Sequence, residues 1–172
     1  LSRYEKAGFI KSPFPLVRLY LSDKENYTYI LAEDSNILFR KANITDISDL
    51  LELRVKFLAE VLAEEEISIK RALYDRLKVY IEEYLNKRFE VFLAEKDTEI
   101  VGAIFIIYYE RVPEIQIDNG KVGVPVNFFI RPSYKKTNLA KCLLNFAMKC
   151  AFEKEVRLFE MAVPKESVGF FL

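Results

Sequence analysis

The chain alternates stretches in which apolar residues run together with stretches in which they recur at helical spacing. β-Branched and aromatic residues concentrate in the first kind, which predicts strands. We expect strands at residues 16–21, 37–42, 89–95, 99–109, 122–130 and 156–163, with a short extra strand over 27–31. Residues 96–98 predict the turn of a hairpin, and Gly102 predicts a bulge or a close backbone approach.

Apolar residues at helical spacing predict helices between these strands. The first runs from Thr45, an N-cap residue, to about residue 63, and the second covers residues 73–85 after a solvated break at 64–66. A third helix begins at Leu139. We also expect residues 1–8 to be the end of a helix, and another helix to begin near residue 164.

Residues 122–151 combine a strand that is apolar on both faces, a polar turn and an amphipathic helix. This order points a helix N-terminus, with its free N–H groups, at an anion. Arg131, Lys135, Lys136 and Lys141 add a local basic patch. A patch of this size suits a small polyphosphate better than a nucleic-acid duplex.

Composition narrows the classes of function. The 172 residues carry 26 basic and 26 acidic side chains, and a net charge of zero argues against nucleic acid as the main partner. The chain has no histidine, which disfavours catalytic triads and zinc sites. No apolar run is long enough to span a bilayer and no signal peptide is visible, so we expect no membrane partner and a cytoplasmic location.

The turn resembles the pyrophosphate loop of the GCN5-related N-acetyltransferases, which reads Arg-Pro-Glu-Tyr-Arg-Gly-x-Gly-Ile-Ala. Residues 131–134 match its Arg-Pro-x-Tyr frame, and basic Lys135 and small Ala140 also match. Lys136 and Asn138 stand where the family usually has glycine. Glycine lets a backbone approach a phosphate closely and adopt positive φ.

The start of the chain resembles the end of the same family's domain, because Tyr4-Glu-Lys-x-Gly-Phe9 matches its closing segment. We therefore expect residues 1–21 to supply the last helix end and the final hairpin, residues 22–36 to form a linker, and residues 37–172 to form the rest of the domain. Three arrangements would explain this order: a circular permutation, one period of a tandem pair, or a homodimer with segment exchange.

The resemblance implies an α/β (α+β) fold with a mixed, mostly antiparallel central sheet flanked by helices. It implies acetyl-CoA as co-substrate and direct transfer of the acetyl group to a primary amine of a small molecule or peptide. The implied acetyl-CoA contacts are a strand edge and the N–H groups of the loop: Phe128, Phe129, Ile130, Lys135, Lys136, Thr137, Asn138, Leu139 and Ala140.

The resemblance also implies catalytic roles. Tyr4 would protonate the leaving thiolate, and Asn127 would orient the acceptor. Glu110, at a strand end, and Glu160, inside an otherwise apolar strand, are candidate general bases. Two alternatives stay open: a degenerate domain of this fold with weak or no CoA binding and a regulatory role, and a plain α/β interaction domain. The latter requires that no cleft opens beside the central strand.

Overall fold

The computed structural model describes residues 16–20 and 36–162. Its strands are β1 (Leu16–Tyr20), β2 (Leu38–Lys41), β3 (Phe89–Lys96), β4 (Glu99–Glu110), β5 (Lys121–Ile130) and β6 (Leu158–Ala162). Its α-helices are α1 (Ile47–Leu62), α2 (Glu66–Tyr84) and α3 (Leu139–Glu153). Short 3₁₀ turns at Ile44–Asp46 and Pro132–Tyr134 precede α1 and α3.

The strands form one six-stranded sheet in the order β1-β6-β5-β4-β3-β2. Neighbouring strands are antiparallel except for β5 and β6, which are parallel. The predicted mixed, mostly antiparallel sheet flanked by helices is therefore confirmed. β1 pairs with β6 along its whole length. The assignment of residues 1–21 as a relocated end of the domain stays a prediction, as do the linker and the segment exchange.

The two faces of the sheet carry different helices. On one face α3 packs through an apolar stripe that includes Leu143 and Ala147, against Phe92 and Ile104 of the central strands. On the other face α1 and α2 cover a second cluster that includes Phe105. Both central strands β3 and β4 are thus buried on two sides, which accounts for their continuous apolar sequence.

Two local predictions need correction. Thr45 is not the N-cap of the first helix, because the side chain of Asn43 accepts from the backbone N–H of Thr45 at 2.8 Å and the carboxylate of Asp46 accepts from the Asn43 N–H at 2.8 Å. This reciprocal capping box starts a 3₁₀ turn that leads into α1. The second helix starts at Glu66, seven residues before the predicted start, and the break is a left-handed turn at Ala63 (φ 52°) followed by two glutamates.

Several other predictions fall on residues that the structure does not describe. These are the helix end over residues 1–8, the short strand over 27–31 and the helix near residue 164. The bulge predicted at Gly102 lies next to it, where the register shifts between Ala94 and Glu95 and leaves Val101 unmatched. Gly102 itself is a close approach, since a Cβ there would lie 3.1 Å from side-chain atoms of Ile130 and Leu143.

Candidate active site

The sheet splits between β5 and β6. These two parallel strands pair only at Val122 with Leu158 and at Gly123 with Phe159. From Val124 onward β5 remains paired with β4 on one side, while its other edge meets no described strand. Within the described residues, this edge of β5 therefore has no pairing strand from Val124 to Ile130.

Gly123 lies at the apex of this split. The ring of Phe159 covers it so closely that a Cβ on Gly123 would lie 2.5 Å from Phe159 Cε1. Phe159 is fully buried among the residues that pack against α3. Gly123 is thus the last paired residue before the strands part, and a side chain there would require a shift of the Phe159 ring or of the backbone.

A β-bulge follows the apex. Phe105 pairs with Asn127 and Ile106 pairs with Pro125, so Val126 has no partner on β4. Pro125 also lacks a backbone N–H, and both features weaken regular pairing at this point. The carbonyl oxygen of Val126 accepts a hydrogen bond from Arg54 Nη1 of α1 at 3.2 Å.

Asn127 is a buried polar residue beside the bulge. The residue is 2% exposed, and neither its side-chain amide nitrogen nor its side-chain carbonyl oxygen has a hydrogen-bond partner among the described residues. Its pairing with Phe105 places it on the face covered by α1 and α2, because directly paired residues share a face. A buried amide left unpaired costs about 1–3 kcal/mol, so it marks a position where a polar ligand group would be favourable.

The loop after β5 closes on itself through Thr137. The Thr137 hydroxyl donates to the carbonyl oxygen of Tyr134 at 2.8 Å and accepts from the Leu139 N–H at 3.2 Å. The Thr137 N–H also donates to the same Tyr134 carbonyl at 3.1 Å. This turn leads directly into α3, whose first residue is Leu139.

Four backbone N–H groups around this turn have no acceptor within the described part of the chain: those of Lys136, Asn138, Ala140 and Lys141. Residues 135–138 are exposed. Lys135, Lys136 and Lys141 have no ion-pair partner among the described residues. The turn therefore has the open donors and the unpaired cations that an anion requires.

Lys136 and Asn138 occupy their positions without unusual backbone geometry. Asn138 has φ −74°, and Lys136 is not among the described residues with positive φ. The two glycines of the family pattern are therefore not needed for the conformation of this turn. What the larger residues change is the side-chain volume beside the open N–H groups.

A polar cluster lies near the apex on the face of α1 and α2. The Tyr109 hydroxyl donates to Glu160 at 2.9 Å, and Arg111 Nη1 donates to the same carboxylate at 3.2 Å. Burial and the adjacent Glu160 raise the pKa of Tyr109. Glu160 directly follows Phe159, the last residue of β6 that pairs with β5, so it lies where the cleft begins.

The structure brings together some of the predicted site residues and separates others. Phe128, Phe129 and Ile130 lie on the part of β5 whose second edge pairs with no described strand, and residues 135–140 form the turn at its end. Glu110 is exposed and pairs with Lys121, six residues or ~20 Å along the strand from Asn127, so the structure does not bring it to that residue. Tyr4 lies outside the described residues.

Sequence analysis missed Arg54, Tyr109 and Arg111. Arg54 carried a detectable signal, because its neighbours three and four positions away on the helix, Leu50, Leu51, Phe57 and Leu58, are all apolar. A charged residue in such a stripe faces the protein rather than solvent. The contacts of Tyr109 and Arg111 with Glu160 join distant strands and had no local signal, although Arg111 also pairs with nearby Glu114.

The described residues contain no cluster of acidic and cysteine side chains that could hold a metal ion. None of the helices within these residues has the length and apolar character needed to cross a bilayer.

Comparison with known proteins adds independent information. A model of the acetyltransferase (GNAT) family matches residues 55–171. No curated protein sequence matches the chain. Among solved structures, a predicted acetyltransferase from Clostridium acetobutylicum with acetyl-CoA superposes with a TM-score of 0.68 at 21% identity, over 78% of this chain and 86% of that one.

Two further structures have the same fold. A GCN5-related N-acetyltransferase from Ralstonia eutropha JMP134 gives a TM-score of 0.67 at 15% identity, over 78% of this chain and 88% of that one. An aminoglycoside acetyltransferase from an uncultured soil metagenomic sample, in complex with trehalose, gives a TM-score of 0.63 at 16% identity, over 80% of this chain and 86% of that one. Because the family model matches well over half of the sequence, the chain belongs to the acetyltransferase (GNAT) family.

Proposed function

We propose that this protein is an acetyl-CoA-dependent N-acetyltransferase that acetylates a primary amine of a small molecule or peptide. The observation that carries the proposal is the continuity of two features on one strand. After Gly123 one edge of β5 pairs with no described strand, and the same strand ends in a turn with four N–H groups that have no acceptor among the described residues. An elongated ligand with a diphosphate at one end would match both features.

The turn would hold the diphosphate of acetyl-CoA. The open N–H groups of Lys136, Asn138, Ala140 and Lys141 would donate to phosphate oxygens, at the positive end of the α3 dipole. The exposed ammonium groups nearby would add electrostatic attraction. In this arrangement Thr137 holds the turn in shape through its two bonds, and its hydroxyl is not itself available to the ligand.

The edge of β5 that pairs with no described strand would hold the pantetheine arm. Residues 128–130 keep their pairing with Ile104, Ala103 and Gly102 of β4. Alternate residues of a strand direct their N–H and C=O groups to opposite sides, so the amides of the arm can pair with the groups that face away from β4. The thioester end of the ligand would then lie toward the bulge at Val126.

The reaction needs little from the protein beyond positioning. A neutral amine attacks the thioester carbon, the carbon–sulfur bond breaks, and the CoA thiolate leaves with the electron pair. One proton leaves the amine nitrogen and one is taken up by the thiolate sulfur. We assign Asn127 to orienting the reacting groups and Tyr4, on the family resemblance, to protonating the thiolate.

The base that takes the amine proton has two candidates. Glu110 is exposed at the end of β4, away from the bulge. Glu160 lies beside the apex, and its bonds from Tyr109 and Arg111 fix its position. Geometry therefore supports Glu160 more strongly.

Related folds support an amine acceptor. One neighbour is an aminoglycoside acetyltransferase in complex with sisomicin, and another is the aminoglycoside N-acetyltransferase AAC(6')-Iy in complex with CoA. The alternative of a degenerate domain without CoA binding draws on the missing glycines. Because Lys136 and Asn138 adopt ordinary φ values, that alternative loses its conformational basis. The split sheet likewise argues against a plain interaction domain.

Calorimetric titration tests the proposal. We expect acetyl-CoA and CoA to bind with a dissociation constant on the order of 1 µM to 1 mM, the usual range for enzyme substrates. Dephospho-CoA, which retains the diphosphate, should still bind, whereas pantetheine should bind far more weakly. Equal binding of CoA and pantetheine would remove the role given to the turn, and no binding at all would favour the degenerate domain.

A further inference from the structure

Arg54 is a partly buried arginine with few polar partners among the described residues. It lies on α1 and reaches across to β5, where Nη1 donates to the carbonyl oxygen of Val126 at 3.2 Å. Its guanidinium carbon also lies 5.5 Å from the centre of the Phe57 ring. Within the part of the chain that the structure describes, no carboxylate contacts it.

Some arginines of the described chain bind carboxylates, whereas Arg157 donates to backbone carbonyl oxygens as Arg54 does. Arg40 binds Asp46 and Glu95 at 2.7 Å each, and Arg131 binds Glu99 at 2.6 Å. Arg54 differs from Arg40 and Arg131, because a guanidinium carries five N–H donors and the single carbonyl that Arg54 contacts satisfies one of them. Burial lowers the pKa of Arg54, since desolvation penalises its charged form, and a bound anion would offset that penalty.

A second observation points to the same place. Asn127 directly follows Val126, and both polar atoms of its buried side chain lack partners within the part of the chain that the structure describes. Asn127 and Arg54 belong to the same side of the sheet, since Asn127 pairs with Phe105 of the cluster that α1 covers. An unsatisfied amide and an unneutralised guanidinium therefore adjoin one bulge at the free edge of β5.

The proposed site of the CoA diphosphate is too far away to supply this anion. Val126 precedes Arg131, the residue that leads into the turn, by five positions, or ~17 Å of extended chain. The pantetheine arm that would lie between them is uncharged. An anion at Arg54 therefore has to come from the other substrate.

Building on the proposed function, we propose that the acceptor amine carries a carboxylate or phosphate group, which Arg54 binds beside the bulge of β5. The fork of a guanidinium binds the oxygens of either group in pairs. The amine would lie at the apex of the cleft and the anionic group against α1. The acceptor class is then amino acids, peptides with a free carboxylate, or phosphorylated amines, rather than polycationic amines.

The test is a comparison of matched acceptors. Free amino acids are assayed against their carboxamides, and O-phosphoethanolamine against ethanolamine, with acetyl-CoA as donor and thiol release as readout. We expect at least one anionic acceptor to exceed its neutral counterpart in kcat/KM by about tenfold or more, which is the effect of one charged hydrogen-bonded contact. The two pairs distinguish a carboxylate from a phosphate.

Variants of Arg54 test whether this residue causes the preference for anionic acceptors. In Arg54→Gln the preference for the anionic acceptor should vanish through a higher KM, and Arg54→Lys should retain part of it. Lys56→Gln removes the same charge from an exposed position of α1 and should keep the full preference. Calorimetry with acetyl-CoA should give the same affinity for all three variants and the wild type, and thermal unfolding should show that each is folded.

Three outcomes would overturn the inference. The neutral acceptors could be acetylated as well as the anionic ones, Arg54→Gln could keep the preference, or acetyl-CoA could bind while no anionic amine is acetylated. Failure of acetyl-CoA to bind would instead remove the proposed function, and the inference would fall with it.

Discussion

The ring of Phe159 occupies the space that a side chain on Gly123 would need, and this contact lies at the point where β5 and β6 part. Beyond it the two strands share no described pairing, so the cleft begins here. The width of the cleft therefore depends on how closely Phe159 approaches the β5 backbone.

Gly123→Ala should destabilise the protein by about 1–3 kcal/mol, the usual effect of inserting a methyl group into a packed core. The new Cβ would lie 2.5 Å from Phe159 Cε1, so the ring or the backbone must move. Urea unfolding measures the loss, and calorimetry with acetyl-CoA should show weaker binding because the free edge moves with the backbone.

Phe159→Leu provides the matched test of this contact. In the double variant, Gly123→Ala should cost less than it does in the wild-type background, because the ring that blocks the new methyl group is gone. If the loss of stability in the double variant equals the sum of the losses in the two single variants, the ring does not limit the side chain that position 123 can hold.

A buried carboxylate controls the stability of the protein in acid. Glu90 is 2% exposed and binds the ammonium groups of Lys41 and Lys154, and it accepts from the Tyr108 hydroxyl at 2.9 Å. Burial acts to raise the pKa of Glu90, but the three hydrogen bonds together outweigh it and hold the pKa below its ordinary value of 4.5.

Because the folded-state pKa of Glu90 is depressed, its contribution to stability is complete above about pH 4.5 and is lost as the pH falls through the folded pKa. Glu90→Gln should therefore cost about 1–3 kcal/mol at pH 7, and the difference from wild type should shrink below pH 4.5. Glu60→Gln, an exposed change of the same charge on α1, should cost little at either pH. Urea unfolding between pH 3 and pH 7 gives the comparison. A difference that does not depend on pH would contradict the assigned pKa.

Substitutions at Lys136 separate charge from backbone freedom. Since Lys136 does not adopt positive φ, Lys136→Gly and Lys136→Ala should weaken acetyl-CoA binding equally, by a few-fold, through the loss of one exposed charge. The effect should decrease as salt is raised. Calorimetry at low and high salt measures it, and Lys56→Ala serves as a distant control. Tighter binding by Lys136→Gly alone would show that the backbone of the turn does need glycine.

Measurement of kcat in Glu160→Gln and Glu110→Gln distinguishes the two candidate bases. If the carboxylate beside the apex accepts the amine proton, Glu160→Gln should reduce kcat by about 10²-fold or more with little change in acetyl-CoA affinity. Glu110→Gln should then have a small effect, because Glu110 is exposed and ~20 Å along the strand from Asn127. Full activity in Glu160→Gln together with a large loss in Glu110→Gln would reverse the assignment.

Local sequence signals predicted much of the fold. The hairpin of β3 and β4, the strand β5 and the start of α3 at Leu139 agree with the structure to within one residue, because each has a strong apolar period and a clear break. The start of α2 was missed, since its first turns carry few apolar residues and Ile67 is exposed. Asn43 and Thr45 are both good caps by type, and only the geometry of the turn selects Asn43.

The parts of the site also differ in how far the local sequence predicts them. The turn over residues 135–140 is contiguous in sequence, so its motif could be recognised without a structure. The apex at Gly123, the bulge at Val126 and the contact of Arg54 with that bulge depend on the pairing of distant strands and on where α1 lies. Neither composition nor periodicity carries that information.

The most direct test of the account is an NMR titration of the ¹⁵N-labelled protein with acetyl-CoA. The backbone amides of Lys136, Asn138, Ala140 and Lys141 should shift together with those of residues 128–130. One dissociation constant on the order of 1 µM to 1 mM should describe them all. The account would be contradicted if these amides did not move at millimolar acetyl-CoA, or if the ligand shifted residues elsewhere on the protein instead.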